Sequence, residues 1–95
     1  MLIVTGSLTA RPDNYEAFLA AAITHVRHSR AEDGCLHHSV ARDCENPYRL
    51  VFFEQWRDRA ALDAHFRVAE AIAFVTDIRR DAAGWEGPKI YEVTA

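Results

Sequence analysis

The run Tyr48 to Trp56 carries the tightest constraint in the chain, because Leu50, Val51, Phe52 and Phe53 follow one another without a polar break. Side chains alternate across a strand, so Leu50, Phe52, Glu54 and Trp56 share one face while Val51, Phe53 and Gln55 share the other. A strand that is apolar on both faces has to be covered on both. The fold must therefore supply two layers for one strand.

The neighbouring segments say which fold that is. Cys35 to Asp43 is a second β-like run, and Gly34 with Glu45-Asn46-Pro47 supplies the punctuation of an antiparallel hairpin. Leu2 to Thr9 alternates Leu2, Val4 and Leu8 against Ile3, Thr5 and Ser7, interrupted by Gly6, which points to a bulge or to a close approach by another group such as a ligand. After the turn Arg11-Pro12-Asp13, a helix is expected from Asn14 to Ala31, with Tyr15, Phe18, Leu19, Ala22 and Val26 as its apolar stripe, His25 at the edge and His28 beyond. Asp58 is placed to cap a second helix. That helix is expected to run through Ala61, Leu62, Phe66, Phe74 and Ile78 to Ala82, with a break near Val68 to Glu70 and Gly84 as its stop. Trp85 to Pro88 reads as a loop and Lys89 to Thr94 as a last strand. The order βαββαβ is that of a ferredoxin-like α+β fold, a four-stranded antiparallel sheet with both helices on one face. The helices cover only one side of the Leu50 to Phe53 strand. A second copy of the chain is the expected cover for the other, giving a homodimer.

Composition narrows the partners. The 95 residues, 49% hydrophobic and 26% charged, suit one domain over residues 1–95. A net charge of -3 with scattered arginines offers no surface for nucleic acid. There is no apolar run of about 18 residues, so no membrane partner is expected, and the opening Met1 to Gly6 lacks the basic start of a signal peptide. The expected compartment is the cytoplasm. Cys35 and Cys44, read as lying on one strand, would stand roughly 30 Å apart and cannot pair within a chain.

The candidate chemistry collects beside Trp56. Glu54 is a carboxylate on an apolar strand face and needs a partner, with an ion pair to an arginine or histidine as one reading and catalysis as the other. His65 lies on the inward stripe of the second helix, so a pocket between strand and helix would be lined by Trp56, Glu54 and His65. His37 and His38 point to opposite faces and cannot share a metal. His25 and His28 have i, i+3 spacing but no evident third ligand, and a metal-free site is expected.

The ordered set Glu32, Gly34, Cys35, Leu36, then Glu45-Asn46-Pro47, then Phe52, Glu54, Trp56, then Ala61, Leu62, His65 resembles the antibiotic biosynthesis monooxygenase domain family. The opening strand, the Arg11-Pro12 turn and the Pro88 to Tyr91 segment also fit. The resemblance implies a dimeric α/β barrel and, for some members, oxygenation of quinols or anthrones by dioxygen with no metal or organic cofactor. It implies His65 as base, Trp56 as aromatic wall and donor, and Glu54 as the group that orients or neutralises His65. Thr5, His38, Phe52 and Phe74 would bind the substrate. The sequence departs from the family pattern at His38, where a tyrosine is common, and at Glu70, where a second histidine is common. Thr5 corresponds to an asparagine of the haem-degrading members. A non-catalytic small-molecule binding protein and an isomerase of a signalling sugar phosphate are the alternative functions.

Overall fold

The computed structural model describes residues 1–94. Strand β1 (Leu2–Thr9) leads to helix α1 (Tyr15–Arg30), strands β2 (Cys35–Arg42) and β3 (Arg49–Trp56) form the hairpin, and helices α2 (Arg59–Phe66) and α3 (Ala69–Asp81) lead to strand β4 (Gly84–Glu92). The sheet order is β2-β3-β1-β4, and each neighbouring pair is antiparallel. This is the ferredoxin-like α+β arrangement, with the second helical segment divided at Arg67-Val68.

Alternation sets the faces. Leu2 pairs with Trp56, Val4 with Glu54, Gly6 with Phe52 and Leu8 with Leu50, so these residues look toward the helices while Val51 and Phe53 look away. From α1, Tyr15, Phe18, Ala22, His25, Val26 and Ser29 are buried against them. One apolar cluster gathers Leu8, Tyr15, Phe18, Leu50, Phe52 and Phe74, and a second gathers Leu2, Val4, Trp56, Ala61 and Leu62. Along β3, Phe52 belongs to the first cluster and Trp56 to the second. Glu54 stands between them, and His25, His38 and His65 are buried with it.

The helix ends are held by side chains. Asp58 caps α2 by accepting the Ala61 N–H at 2.9 Å. Helix α1 starts at Tyr15, and Asn14 just before it accepts the Arg11 N–H at 2.8 Å and gives its own amide to the Asp81 carbonyl at 3.0 Å. The start of α1 is thereby tied to the end of α3. Gly34, at φ +81°, makes the turn into β2 directly against Ala61 of α2, where a side chain has no room.

The C-terminal expectations are corrected. Gly84 does not stop a helix, Trp85 to Pro88 is not a loop, and the last strand begins at Gly84 and ends at Glu92. The Ala83 N–H donates to the Thr9 carbonyl at 2.8 Å, and pairing continues with Trp85 opposite Leu8 and Glu86 opposite Ser7. The Gly87-Pro88 pair, loop punctuation in the sequence, is absorbed where the β1–β4 register shifts between Thr5 and Ser7. A Cβ on Gly87 would lie 2.7 Å from the Thr5 carbonyl oxygen, and one on Gly6 would lie 3.2 Å from that of Glu86. The close approach read from Gly6 is made by β4.

Among the described residues, only one sheet face is covered within the chain. On the other, Phe53 is 38% exposed and Tyr91 is 50% exposed. A bulge between Cys35 and His37 also turns Leu36 outward, although regular alternation would put it on the same face as His38 and Val40.

Candidate active site

His65 occupies the last turn of α2, 4% exposed, where the Arg67-Val68 break directs it at the sheet. Its Nδ1 stands 2.8 Å from Oε1 of Glu32. A carboxylate has no proton to give, so the imidazole donates from Nδ1, and in the neutral ring Nε2 carries the lone pair. The ring lies against the Trp56 indole, with centroids 4.6 Å apart. Partner and packing together fix its tautomer and its orientation.

His25, on the apolar stripe of α1, is built in the same way. Its Nδ1 lies 3.0 and 3.1 Å from the two carboxylate oxygens of Glu70 on α3, and its ring stacks on Phe74 at 4.6 Å. Burial is the main influence on this imidazole and holds its pKa below a histidine's ordinary value, against the opposing pull of Glu70. His25 is therefore neutral near pH 7, again with Nε2 unprotonated. The His25 and His65 ring centroids are 5.5 Å apart.

Glu54 sits beneath both. Its Oε1 accepts the Trp56 indole N–H at 2.9 Å and lies 4.0 Å from Nε2 of His65. His38 Nε2 approaches the same oxygen to 3.4 Å without hydrogen-bond alignment, and both ring nitrogens of His38 are buried with no hydrogen-bond partner among the described residues. Burial, the largest influence on Glu54, pushes its carboxyl up. The His38 contact, the indole N–H and the nearby His65 imidazole outweigh it and leave the pKa below the usual carboxylate range. Glu54 remains ionised.

A cavity of about 440 Å³ opens between β1, β4, α2 and α3, lined among others by His25, Phe52, Glu54, His65 and Phe74. Its walls are mostly apolar, and Phe66, Ile72, Val75 and Trp85 at its lining are exposed. Of the residues singled out from sequence, His65, Glu54, Phe52 and Phe74 come together on this cavity. Thr5 also lines it, but strand parity puts its side chain on the open face with Phe53, so its main chain is what faces the cavity. Trp56 is not a wall of the cavity and has no free donor. It is fully buried behind His65, with its N–H given to Glu54. His38 is likewise behind the lining, in contact with Glu54, and Glu54 lies nearer to His38 than to His65.

Two residues of the site carried no role in the sequence reading. Glu32, part of the Glu32-x-Gly34-Cys35-Leu36 pattern, takes the place expected of Glu54 as the partner that orients His65. His25 pairs with neither His28 nor a metal in that reading, yet it lies on the cavity. Its signal was its spacing from Phe18 and Ala22, which puts it inside the buried stripe, where an imidazole needs a partner. His28 is instead half-exposed and reaches Glu32 at 3.3 Å. Burial pushes the Cys35 thiol up, so it packs against the Trp56 cluster as a small residue rather than serving as a nucleophile.

The sequence profile of the antibiotic biosynthesis monooxygenase family matches residues 1–77, and the chain belongs to that family. It is 31% identical over 75 residues to "Putative monooxygenase YcnE" of Bacillus subtilis, covering 79% of each chain. It is 39% identical over 74 residues to "Uncharacterized protein sll1783" of Synechocystis, covering 78% of this chain but only 50% of that longer protein. In structure it superposes, with a TM-score of 0.93 and 21% identity, on a "putative antibiotic biosynthesis monooxygenase" from Deinococcus radiodurans, covering 100% of this chain and 94% of the other. The family and the names of its relatives support a monooxygenase-type function. Among the described residues, no helix is long and apolar enough to cross a membrane.

Proposed function

We propose that this chain is a monooxygenase that places one atom of dioxygen in a small electron-rich aromatic of the quinol or anthrone type, without a metal or organic cofactor. The observation that carries the reading is the Glu32-backed imidazole of His65, whose Nε2 lone pair is available at the wall of an apolar cavity. His65 removes the acidic proton of the substrate, and Glu32 steadies the imidazolium that forms. The substrate anion passes an electron to dioxygen, and the radical pair combines to a peroxide that takes up a proton from His65. For an anthrone, loss of the remaining C–H proton with cleavage of the O–O bond leaves a ketone and water. The methylene supplies all four electrons that dioxygen needs. Phe52 and Phe74 bound the slot for the flat ring, and neutral His25 offers a second polar contact.

The lining has one cation, Arg79, among the described residues, and Glu86 lines the same cavity. A sugar phosphate dianion has little to hold it there, which favours the aromatic substrate over the isomerase reaction. The test is an oxygen electrode trace of the metal-stripped protein with a panel of reduced quinols and anthrones. Uptake above the protein-free rate supports the oxygenase; uptake equal to it leaves a binding protein.

A homodimer is part of the proposal. Phe53 and Tyr91 give the uncovered sheet face an apolar centre that a second copy would bury. Light scattering on a sizing column at micromolar concentration should return twice the chain mass. Phe53→Asp should return the single mass, and a wild-type monomer would remove the barrel.

A further inference from the structure

We propose that His25, His38 and His65 form a binding site for one divalent transition ion of the zinc class, with the carboxylate of Glu54 as fourth ligand. The geometry is that of a three-imidazole cap. One ring nitrogen from each of the three histidines lies within 4.8 Å of the others, and the ring centroids are 5.2, 5.5 and 5.9 Å apart. Three imidazoles on one ion at a metal–nitrogen distance of about 2.1 Å place their centroids about 5 Å apart and their nitrogens roughly 3 to 3.5 Å apart. Small rotations of rings already in place would close the set. Glu54 Oε1, 3.4 Å from His38 Nε2 and 4.0 Å from His65 Nε2, stands beside the position an ion would take.

Three further features point to a ligand. The side chain of His38 is fully buried, yet neither of its ring nitrogens has a hydrogen-bond partner among the described residues. A buried imidazole left so is unusual, and an ion would satisfy it. The other two rings each donate Nδ1–H to a carboxylate, Glu70 for His25 and Glu32 for His65, the arrangement that fixes metal-ligating histidines and raises their basicity. The charge also fits. Three imidazoles, one ligand carboxylate and two carboxylates behind them make a site that favours a cation. Three nitrogens and one oxygen suit Zn²⁺, Co²⁺, Ni²⁺ or Cu²⁺ and not Mg²⁺ or Ca²⁺.

This site stands on its own geometry and does not depend on which reaction the cavity hosts. An ion would take the Nε2 lone pair of His65, so metal binding and base catalysis are alternative states of one cluster.

The experiment titrates Co²⁺ and Zn²⁺ into the chelator-stripped full chain with no aromatic substrate present. Co²⁺ should develop the intense visible bands of four- or five-coordinate cobalt, and calorimetry with Zn²⁺ should give one ion per chain. His38→Gln, checked for folding by circular dichroism, should weaken binding about 100-fold or more, and Glu32→Gln, which removes only a supporting carboxylate, by roughly 10- to 100-fold. His37→Ala, on the open face, should leave both signals unchanged. Failure of wild type to show cobalt bands or zinc heat at millimolar ion would overturn the proposal, whatever the variants do. Full affinity in folded His38→Gln would do the same, as would loss on His37→Ala, which would place the ion on a surface imidazole. Because substrate is absent, failure of the oxygenase reading would not alter these results.

Discussion

The α2 end of the cavity and its α1 wall hold the same device twice. His65 is set between Glu32 and Trp56, and His25 between Glu70 and Phe74. Each imidazole thus has a carboxylate on Nδ1 and an aromatic on its flank. The supports differ in shielding, since the Glu32 side chain is 14% exposed and the Glu70 side chain 25% exposed. They differ also in contact, one bond of 2.8 Å against a shared pair of 3.0 and 3.1 Å. The shorter bond to the better shielded carboxylate favours His65 over His25 as the base of the proposed reaction. Matching construction does not imply matching roles.

The most damaging way to test that difference is at the carboxylates. Glu32→Gln presents an amide that can donate to Nδ1 and invert the tautomer, so oxygen uptake should fall by about 10-fold or more, while Glu70→Gln should cost about threefold or less. Reversed effects would exchange the roles of the two histidines. A second, smaller effect lies in stability. The native pKa of His25 is below its unfolded value, so the unfolded chain takes up a proton first as pH falls. The stabilising contribution of His25 is complete above the unfolded pKa of about 6.5 and is lost as pH drops through the lower native value. Thermal midpoints should fall between pH 7.5 and the native pKa of His25, and His25→Gln should flatten that slope. An unchanged slope would place the titration elsewhere. The smallest effect is expected from His28→Ala, because the 3.3 Å contact of His28 with Glu32 is made at the surface, where such pairs contribute little.

The two imidazoles also differ in how legible they were. His65 could be read from sequence because it lies in the last turn of an eight-residue helix that follows a cap and a strand-ending tryptophan, all local signals. Glu32 is thirty-three residues away from it, and His25 is forty-five away from Glu70. Those pairings exist only once the fold sets α1 beside α3 and the turn after α1 beside α2. Alternation along β3 placed Phe52, Glu54 and Trp56 on one face, but it could not say that the indole N–H would turn to Glu54, two residues away, rather than to the cavity. The fold failed to show most plainly at β4, where Gly87-Pro88 is loop chemistry that an edge strand tolerates by bulging.

The central claim is that His65, held by Glu32, is the base of an oxygenase. It is tested most directly by oxygen uptake of metal-stripped wild type and His65→Ala side by side, with a quinol or anthrone that the wild type consumes. His65→Ala should lose about 10²-fold or more in rate, with the fold intact by circular dichroism. Equal rates in the two proteins would contradict it.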